Sequence, residues 1–238
     1  MKLDLLVIAA HPDDAELACS GTIALEIAKG KKVGILDLTM GEMGTRGTPE
    51  LRLKEAEDSA QVLGLSVREN MGFRDAFFSN DEEHQLKLIQ KIRKYKPEII
   101  LTNAIRDRHP DHAKASELTV VSSFKAGLAK IETQDESGIQ APWRPNMVYH
   151  FIQSILIAPD FVVDVSDHWQ TKLQSINAFR SQFYNPDSIE PETYISSPEF
   201  MKLIEARGKE FGHSIGVPYG EGFTIDRNIG IKDLWDLI

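Results

Sequence analysis

The first half of the chain alternates between short apolar runs and longer segments that mix apolar and polar residues. Residues 3–10 (LDLLVIAA) form a continuous apolar run, which is typical of a β-strand buried on both faces. Similar runs predict strands at 32–38, 67–71 and 98–103, and helices are predicted between them at 16–29, 49–63 and 80–95. This alternation predicts an α/β fold with a mostly parallel sheet and helices on both faces.

Candidate capping residues stand before each of these helices. They are Asp13 or Asp14 for the first helix, Thr48 followed by Pro49 for the second, and Asn80 with Glu83 as a capping box for the third.

The second half is less regular. Helices are predicted at 113–130, 167–183 and 198–211, strands at 147–153 and 161–165, and a polar loop at 132–144. The glycine-rich stretch at 212–222 predicts an irregular segment. With no repeat and no long linker, we expect a single domain over residues 1–238.

Composition narrows the class of protein. The 238 residues are 42% hydrophobic and 26% charged, close to globular averages. The net charge of −9 argues against nucleic-acid and anionic-membrane partners. A single cysteine, Cys19, excludes a disulfide framework, and the apolar runs are too short to span a membrane. Since no secretory pattern opens the chain, we expect a cytoplasmic protein.

Two histidine motifs follow two of the predicted strands. Residues 11–16 read HPDDAE and residues 109–112 read HPDH. Ligand sites in open α/β sheets lie at the carboxyl ends of the strands, so the two loops converge if their strands are neighbours. Each motif alone is equally well explained by helix capping. Together they favour a site.

The residue types in these motifs suit a catalytic zinc ion. A zinc site of this kind has three protein ligands and an open position, and His11, Asp14 and His112 supply such a set. Asp13 is then available as a proton acceptor for water. His109 is available to stabilise an oxyanion or protonate a leaving group.

These motifs resemble the LmbE/PIG-L family of zinc-dependent N-deacetylases. The resemblance implies a Rossmann-like fold, one Zn²⁺ per chain on His11, Asp14 and His112 (other divalent metals also fit), Asp13 as general base and His109 as acid or oxyanion partner. The segments at 44–52 (GTRGTPELR) and 216–223 (GVPYGEGF) most resemble the bacillithiol-pathway branch, which deacetylates N-acetylglucosaminyl-malate. Members often form symmetric homo-oligomers, so the resemblance implies one here, with a hexamer as one arrangement.

The substrate-binding residues are predicted from charge and from the resemblance. Malate carries two carboxylates, and Arg46 and Arg52 lie on the expected ligand side, where arginine suits carboxylates. The resemblance points to Arg52 as a substrate ligand and to Asp75 as a sugar-hydroxyl contact. A solvated Arg52 paired with Glu55 or Asp58 is the alternative.

Rival functions are separable by experiment. A deacetylase of chitooligosaccharides or of another N-acetyl sugar uses the same chemistry. A metal-dependent phosphoester hydrolase usually needs two metals, with Asp111 available to help hold the second. A binding module with a structural metal predicts a closed four-ligand site. A dehydrogenase is disfavoured because no glycine-rich dinucleotide fingerprint is present.

Overall fold

The computed structural model describes residues 1–233 and 235. Strands, in chain order, are β1 (Leu5–Ala9), β2 (Val33–Thr39), β3 (Val67–Phe73), β4 (Ile99–Thr102), β5 (Gln134–Asp135), β6 (Gly138–Ile139), β7 (Met147–Phe151), β8 (Phe161–Asp164) and β9 (Gly220–Ile225). Helices are α1 (Asp14–Ala28), α2 (Pro49–Leu63), α3 (Glu82–Tyr95), α4 (Pro110–Ala126), α5 (Trp169–Asn177) and α6 (Pro198–Ser214), with 3₁₀ turns at Ser166–His168 and Tyr194–Ser196. None of these helices is long and apolar enough to cross a membrane.

The central sheet has seven strands within the described residues, in the order β3-β2-β1-β4-β7-β9-β8. The first five are mutually parallel. Strand β9 runs antiparallel to both of its neighbours. The predicted α/β fold with a mostly parallel sheet is therefore confirmed, and strands β5 and β6 form a small separate hairpin.

The continuous apolar run in β1 is explained by burial on two sides. Leu6 and Ile8 lie in a core cluster with residues of α3 and α4. Leu5 and Val7 lie in a second cluster with residues of α1. Successive side chains of a strand point to opposite faces, so both faces of β1 are covered by helices as predicted.

Strand order brings the two histidine motifs together. Strand β1 lies between β2 and β4, so the chain leaves its carboxyl end towards α1 while the loop after β4 leads to α4. Ligands of open α/β sheets bind where neighbouring connections diverge in this way. The HPDDAE and HPDH segments lie where these two loops lead into α1 and α4.

The predicted irregular segment at 212–222 is wrong at both ends. Helix α6 continues to Ser214, and β9 begins at Gly220 and is buried between β7 and β8. A Cβ on Gly222 would lie 2.9 Å from the Phe211 ring, and one on Gly220 would lie 2.6 Å from Val162 Cγ1. These glycines therefore permit close packing of α6 and β8 on a regular strand rather than marking a loop.

The single helix predicted at 167–183 is also wrong. Helix α5 ends at Asn177. The chain then turns, and Ser181 donates hydrogen bonds from its backbone N–H and its hydroxyl to the buried carboxylate of Glu55 on α2. These long-range hydrogen bonds take the place of helical ones. Phe179 and Phe183 pack in a third core cluster.

Smaller differences concern helix ends. The capping box from Asn80 to Glu83 is wrong because Asp81 is the N-cap, and its carboxylate accepts from the His84 N–H. Thr48 caps α2 as predicted, with Pro49 in the first turn. Helix α4 begins at Pro110 and ends at Ala126, so it is placed three to four residues earlier than the pattern predicts.

Candidate active site

The turn after β1 places two adjacent carboxylates in one cleft. Asp13 has a φ angle of 108°, in the left-handed region that few non-glycine residues adopt. Its side chain makes no capping hydrogen bond to α1. It lines the cleft instead, as do His11 and Asp14. Backbone strain of this kind is concentrated at functional sites.

Asp14 is the centre of the polar cluster. Its Oδ1 lies 3.1 Å from His112 Nε2, and its Oδ2 lies 3.4 Å from His11 Nδ1. Two side-chain amides hold the carboxylate: Asn103 Nδ2 donates to Oδ2 at 3.0 Å and Gln153 Nε2 donates to Oδ1 at 2.8 Å. The three predicted metal ligands are thus brought together.

Each of the two histidines that face Asp14 has a second carboxylate on its other ring nitrogen. His11 Nε2 lies 3.0 Å from Asp75 Oδ1, and His112 Nδ1 lies 2.5 Å from Asp107 Oδ2. Metal-binding histidines usually carry such a partner, which fixes the ring and its tautomer. The donor set therefore fits a divalent metal held by imidazole and carboxylate.

Charges within the cluster shift the pKa values of its members. Burial lowers the pKa of His112, but the Asp14 charge and the hydrogen bond with Asp107 outweigh this and raise it to about 9. Burial also opposes protonation of His11, and hydrogen bonds with Asp111, Asp14 and Asp75 nevertheless hold its pKa well above the usual value. Burial raises the pKa of Asp14, but the His112 charge and the hydrogen bond with His11 hold it well below its usual range.

His109 is a different kind of histidine. It is the N-cap of α4, and its Nδ1 accepts a hydrogen bond from the Asp111 N–H. Burial and the charges of His11 and His112 lower its pKa, which favours the neutral ring. A neutral ring that accepts at Nδ1 carries its proton on Nε2, so His109 is suited to donate a hydrogen bond. One of its ring nitrogens also lies within 4.8 Å of a ring nitrogen of His11 and of His112.

Arg52 is the main charge partner of Asp13. It is only 6% exposed, and its Nη2 donates to Asp13 Oδ2 at 3.1 Å and to the Pro12 carbonyl at 2.9 Å. Its Nη1 donates to the Gly41 carbonyl, and a Cβ on Gly41 would lie 1.8 Å from this nitrogen. The predicted alternative of a solvated helix position is wrong, because Arg52 ties three segments of the site together.

Burial and Arg52 act on Asp13 in opposite directions. Burial raises the pKa of Asp13 and the Arg52 charge lowers it, and the balance leaves it at about 7. A carboxylate with this pKa can accept and return a proton near neutral pH.

The other two predicted substrate residues also lie in the cleft wall. Arg46 is 4% exposed, and its Nη2 donates to Ser188 Oγ at 2.6 Å while Nε has no hydrogen-bond partner. Asp75 is held by His11 and by the Met43 N–H. The observed contacts of Asp75 are therefore those of a histidine partner.

Three polar residues of the site were missed by the sequence reasoning. Asn103 and Gln153 follow the neighbouring strands β4 and β7, and Asp107 lies five residues before His112. The sequence offered one signal for Asn103 and Gln153, a polar side chain at the carboxyl end of a predicted strand. This signal points to a shared site only when β4 and β7 are known to be neighbours in the sheet.

The cleft has a cavity volume of about 380 Å³ and a mixed lining. Its polar lining includes the cluster around Asp14 together with Arg46, Arg52, Arg108 and Arg207, and apolar side chains of α1, α5 and α6 also line it. Arg108 stacks over the Tyr194 ring at 4.6 Å, and Arg207 donates to the Ser154 carbonyl.

The remaining histidines lie elsewhere. His213 is exposed near the end of α6 and does not line this cleft. His150 is buried and bonded to Ser116, and His84 contacts its N-cap Asp81. Cys19 is buried in α1, as expected of a small core residue.

Fold and site together define an α/β protein with a histidine–carboxylate cluster at the switch point of a parallel sheet. Residues 6–122 match the family described as PIG-L: GlcNAc-PI de-N-acetylase. A diacetylchitobiose deacetylase from Thermococcus kodakarensis is 31% identical, and the match covers 92% of this chain and 81% of that relative. The chain belongs to the PIG-L family, also called LmbE, of N-deacetylases.

Two further comparisons bear on the family branch and on the fold. A probable N-acetyl-alpha-D-glucosaminyl L-malate deacetylase 2 from Bacillus cereus is 27% identical, covering 76% of this chain and 84% of the relative. The solved structure of the conserved protein TT1542 from Thermus thermophilus matches with a TM-score of 0.86 and 37% identity, over 98% of both chains.

Proposed function

We propose that the protein is a zinc-dependent hydrolase that removes the acetyl group from an N-acetylglucosamine conjugate, releasing acetate and the free amine. N-acetylglucosaminyl-L-malate is the proposed substrate. The observation that carries the proposal is the position of Asp13, a buried carboxylate with a pKa of about 7, beside the cluster of His11, Asp14 and His112.

His11, Asp14 and His112 are the residues that would hold the metal. When bound, Zn²⁺ supplies Lewis acidity, which lowers the pKa of water and polarises a carbonyl oxygen. Asp75 and Asp107 hold the two imidazole rings, and Asn103 and Gln153 orient the carboxylate.

The chain's own groups move the protons of the reaction. The Asp13 carboxylate accepts the proton of the attacking water. His109 Nε2–H donates a hydrogen bond to the oxygen on which negative charge develops. The departing amine receives its proton from Asp13, which has taken the proton of the water, or from His109.

Basic side chains in the cleft support an anionic aglycone. The whole chain carries a net charge of −9, yet Arg46, Arg108 and Arg207 line this cleft. Arg46 Nε makes no hydrogen bond, although it lies 3.6 Å from the Glu190 carboxylate, and arginine pairs well with carboxylates. Malate carries two carboxylates and so matches this lining. Arg52 is held more closely by its own partner, Asp13, at 3.1 Å.

A chitooligosaccharide is the second candidate substrate. The relative that is 31% identical over 92% of this chain is a diacetylchitobiose deacetylase, and its substrate is uncharged. The chemistry at the amide bond is the same for both candidates, so only the aglycone distinguishes them.

The test is amine release by the zinc-loaded protein. N-acetylglucosaminyl-malate, N-acetylglucosamine and diacetylchitobiose are compared at matched concentrations, and the zinc content per chain is measured in parallel. We expect one zinc per chain and the highest kcat/KM for the malate conjugate. Hydrolysis of the uncharged sugars alone would refute the malate assignment. No hydrolysis of any of them, with two metals per chain, would favour phosphoester chemistry.

The proposal also covers the cellular location and the oligomeric state of the protein. We propose a cytoplasmic enzyme that forms a homo-oligomer, in which a hexamer is one arrangement. Size-exclusion chromatography with light scattering measures the assembly, and a monomer at micromolar concentration would contradict this part.

A further inference from the structure

The cleft continues past the histidine–carboxylate cluster into an apolar chamber. Six apolar side chains line this chamber: Leu17, Ala18, Trp169, Phe200, Ile204 and Phe211. They come from α1, α5 and α6. An acetyl group extends only one carbon beyond the amide carbonyl carbon, whereas these six apolar side chains line the cleft from three different helices. This apolar lining is therefore more extensive than a single methyl group requires.

The chamber runs alongside α1, away from the metal ligands. Ala18 lies one turn after Asp14 on the same helix face. Glu221 accepts hydrogen bonds from the N–H groups of Gly21 and Thr22, and it also lines the cleft. Seven residues separate Asp14 from Gly21, which corresponds to ~10 Å along a helix. The cleft thus reaches about two helical turns beyond Asp14.

The buried carboxylate at the far end of the chamber has no acceptor capacity left for a sugar. Glu221 accepts from Gly21 N–H, Thr22 N–H, the Thr22 hydroxyl and Lys172 Nζ, which uses its full acceptor capacity. Lys172 itself donates to Glu221 and to the Leu17 carbonyl. A sugar hydroxyl placed against Glu221 would be buried without this carboxylate as an acceptor, at a cost in free energy. Hydrocarbon carries no such cost.

We propose that this chamber binds the acyl chain of the substrate, and that the protein hydrolyses glucosamine amides whose acyl group is longer than acetyl. This inference rests on the proposed function, because it concerns the acyl side of the same amide bond. Water breaks the C–N bond: its hydroxyl joins the acyl carbon, and its proton goes to the amine. The products are a medium-chain carboxylate and the free amino sugar, and the sugar stays at the polar part of the cleft.

The first test is binding to the metal-free protein, which is independent of catalysis. N-hexanoylglucosamine and N-acetylglucosamine are titrated calorimetrically under the same conditions. Burying one methylene tightens binding about three- to fourfold. The hexanoyl group has four more methylenes, so we expect its dissociation constant to be lower by on the order of 100-fold. Equal dissociation constants would overturn the inference.

The second test separates this inference from the proposed function. The zinc-loaded protein is assayed with N-acetyl-, N-butyryl- and N-hexanoylglucosamine, and we expect kcat/KM to rise along the series. Hydrolysis of the acetyl substrate alone would overturn the chamber and leave the deacetylase standing. Tight binding of the hexanoyl compound with no hydrolysis of any amide would refute the hydrolase and leave the chamber.

Matched variants locate the effect. Ala18→Leu places a larger side chain in the chamber and should reduce the hexanoyl-to-acetyl ratio of kcat/KM at least tenfold. The same change at Ala206→Leu, on the exposed face of α6 outside the cleft, should keep the ratio. Ile204→Ala enlarges the chamber from another helix and should shift the preference to longer chains. An unchanged ratio in both Ala18→Leu and Ile204→Ala would overturn the assignment.

Discussion

Asp13 shows how strongly the surroundings of one side chain decide its chemistry. As the residue before α1 it could have been an ordinary cap, but its φ of 108° and its ion pair with Arg52 hold its carboxylate in the cleft. Burial raises its pKa, and Arg52 limits the rise to about 7. This pKa suits Asp13 to the role of general base that we propose for it.

Replacing Asp13 by asparagine removes the base with little change in shape. Asparagine tolerates a positive φ, and its side-chain oxygen can still accept from Arg52. We expect Asp13→Asn to retain zinc and to lower kcat about 10²- to 10⁴-fold, the usual contribution of a positioned base. Metal analysis and single-substrate kinetics measure both effects. The exposed control Asp58→Asn should match the parent protein, and a zinc-loaded Asp13→Asn protein with unchanged kcat would exclude Asp13 as the base.

Among the secondary-structure elements, α5 and β9 are joined by a buried ion pair that also contacts α1. Glu221 on β9 bonds to two N–H groups inside α1, and Lys172 on α5 neutralises it at 2.6 Å. Both side chains are about 3% exposed. A buried carboxylate without its cation is strongly destabilising, so this pair connects three elements at the floor of the chamber.

Removing the cation should therefore destabilise the fold. We expect Lys172→Met to lower the free energy of unfolding by about 3–5 kcal/mol, because Glu221 is left buried and uncompensated. The double variant Lys172→Met with Glu221→Gln should recover part of the loss. Urea denaturation at pH 7 measures both changes.

An exposed ion pair on α6 supplies the matched control. Lys202 and Glu199 are more than 70% exposed, so Lys202→Met should leave the unfolding midpoint close to that of the parent. If Lys172→Met were no more destabilised than Lys202→Met, the buried pair would not hold these elements together.

For the whole molecule, metal binding and proton binding are coupled. In the metal-free protein His112 has a pKa of about 9, so it is protonated at pH 7, and the carboxylates around His11 raise the pKa of that ring as well. Zinc binds neutral imidazole. If zinc binds to these histidines as we propose, it displaces their protons, and its apparent affinity rises as the pH increases.

We expect the release of at least one proton per zinc at pH 7, from His112. The release should fall above pH 9, where His112 has already lost its proton in the metal-free protein. Calorimetric titration in buffers of different ionisation enthalpy counts the protons. Substituting the exposed His213→Gln should leave the count unchanged. A count that does not change between pH 7 and pH 9.5 would contradict the assignment of His112 as a ligand.

Local pattern was sufficient for much of the fold. Apolar runs located the parallel strands, and the cap and proline at Thr48 and Pro49 located the start of α2. Pattern failed at β9, where glycines that allow close packing of Phe211 resemble loop residues. It failed again after Asn177, where a hydrogen bond to Glu55 on a distant helix ends the helix.

The local sequence was enough to predict which residues are suited to the chemistry, because histidine, aspartate and their spacing within a loop are local properties. Their partners depend on the tertiary structure. Asp13 meets Arg52 from 39 residues away, and Asp14 meets Gln153 from 139 residues away. These contacts depend on strand order, which short-range periodicity does not specify. The apolar chamber has the same origin, since its walls come from three helices that meet only in the folded chain.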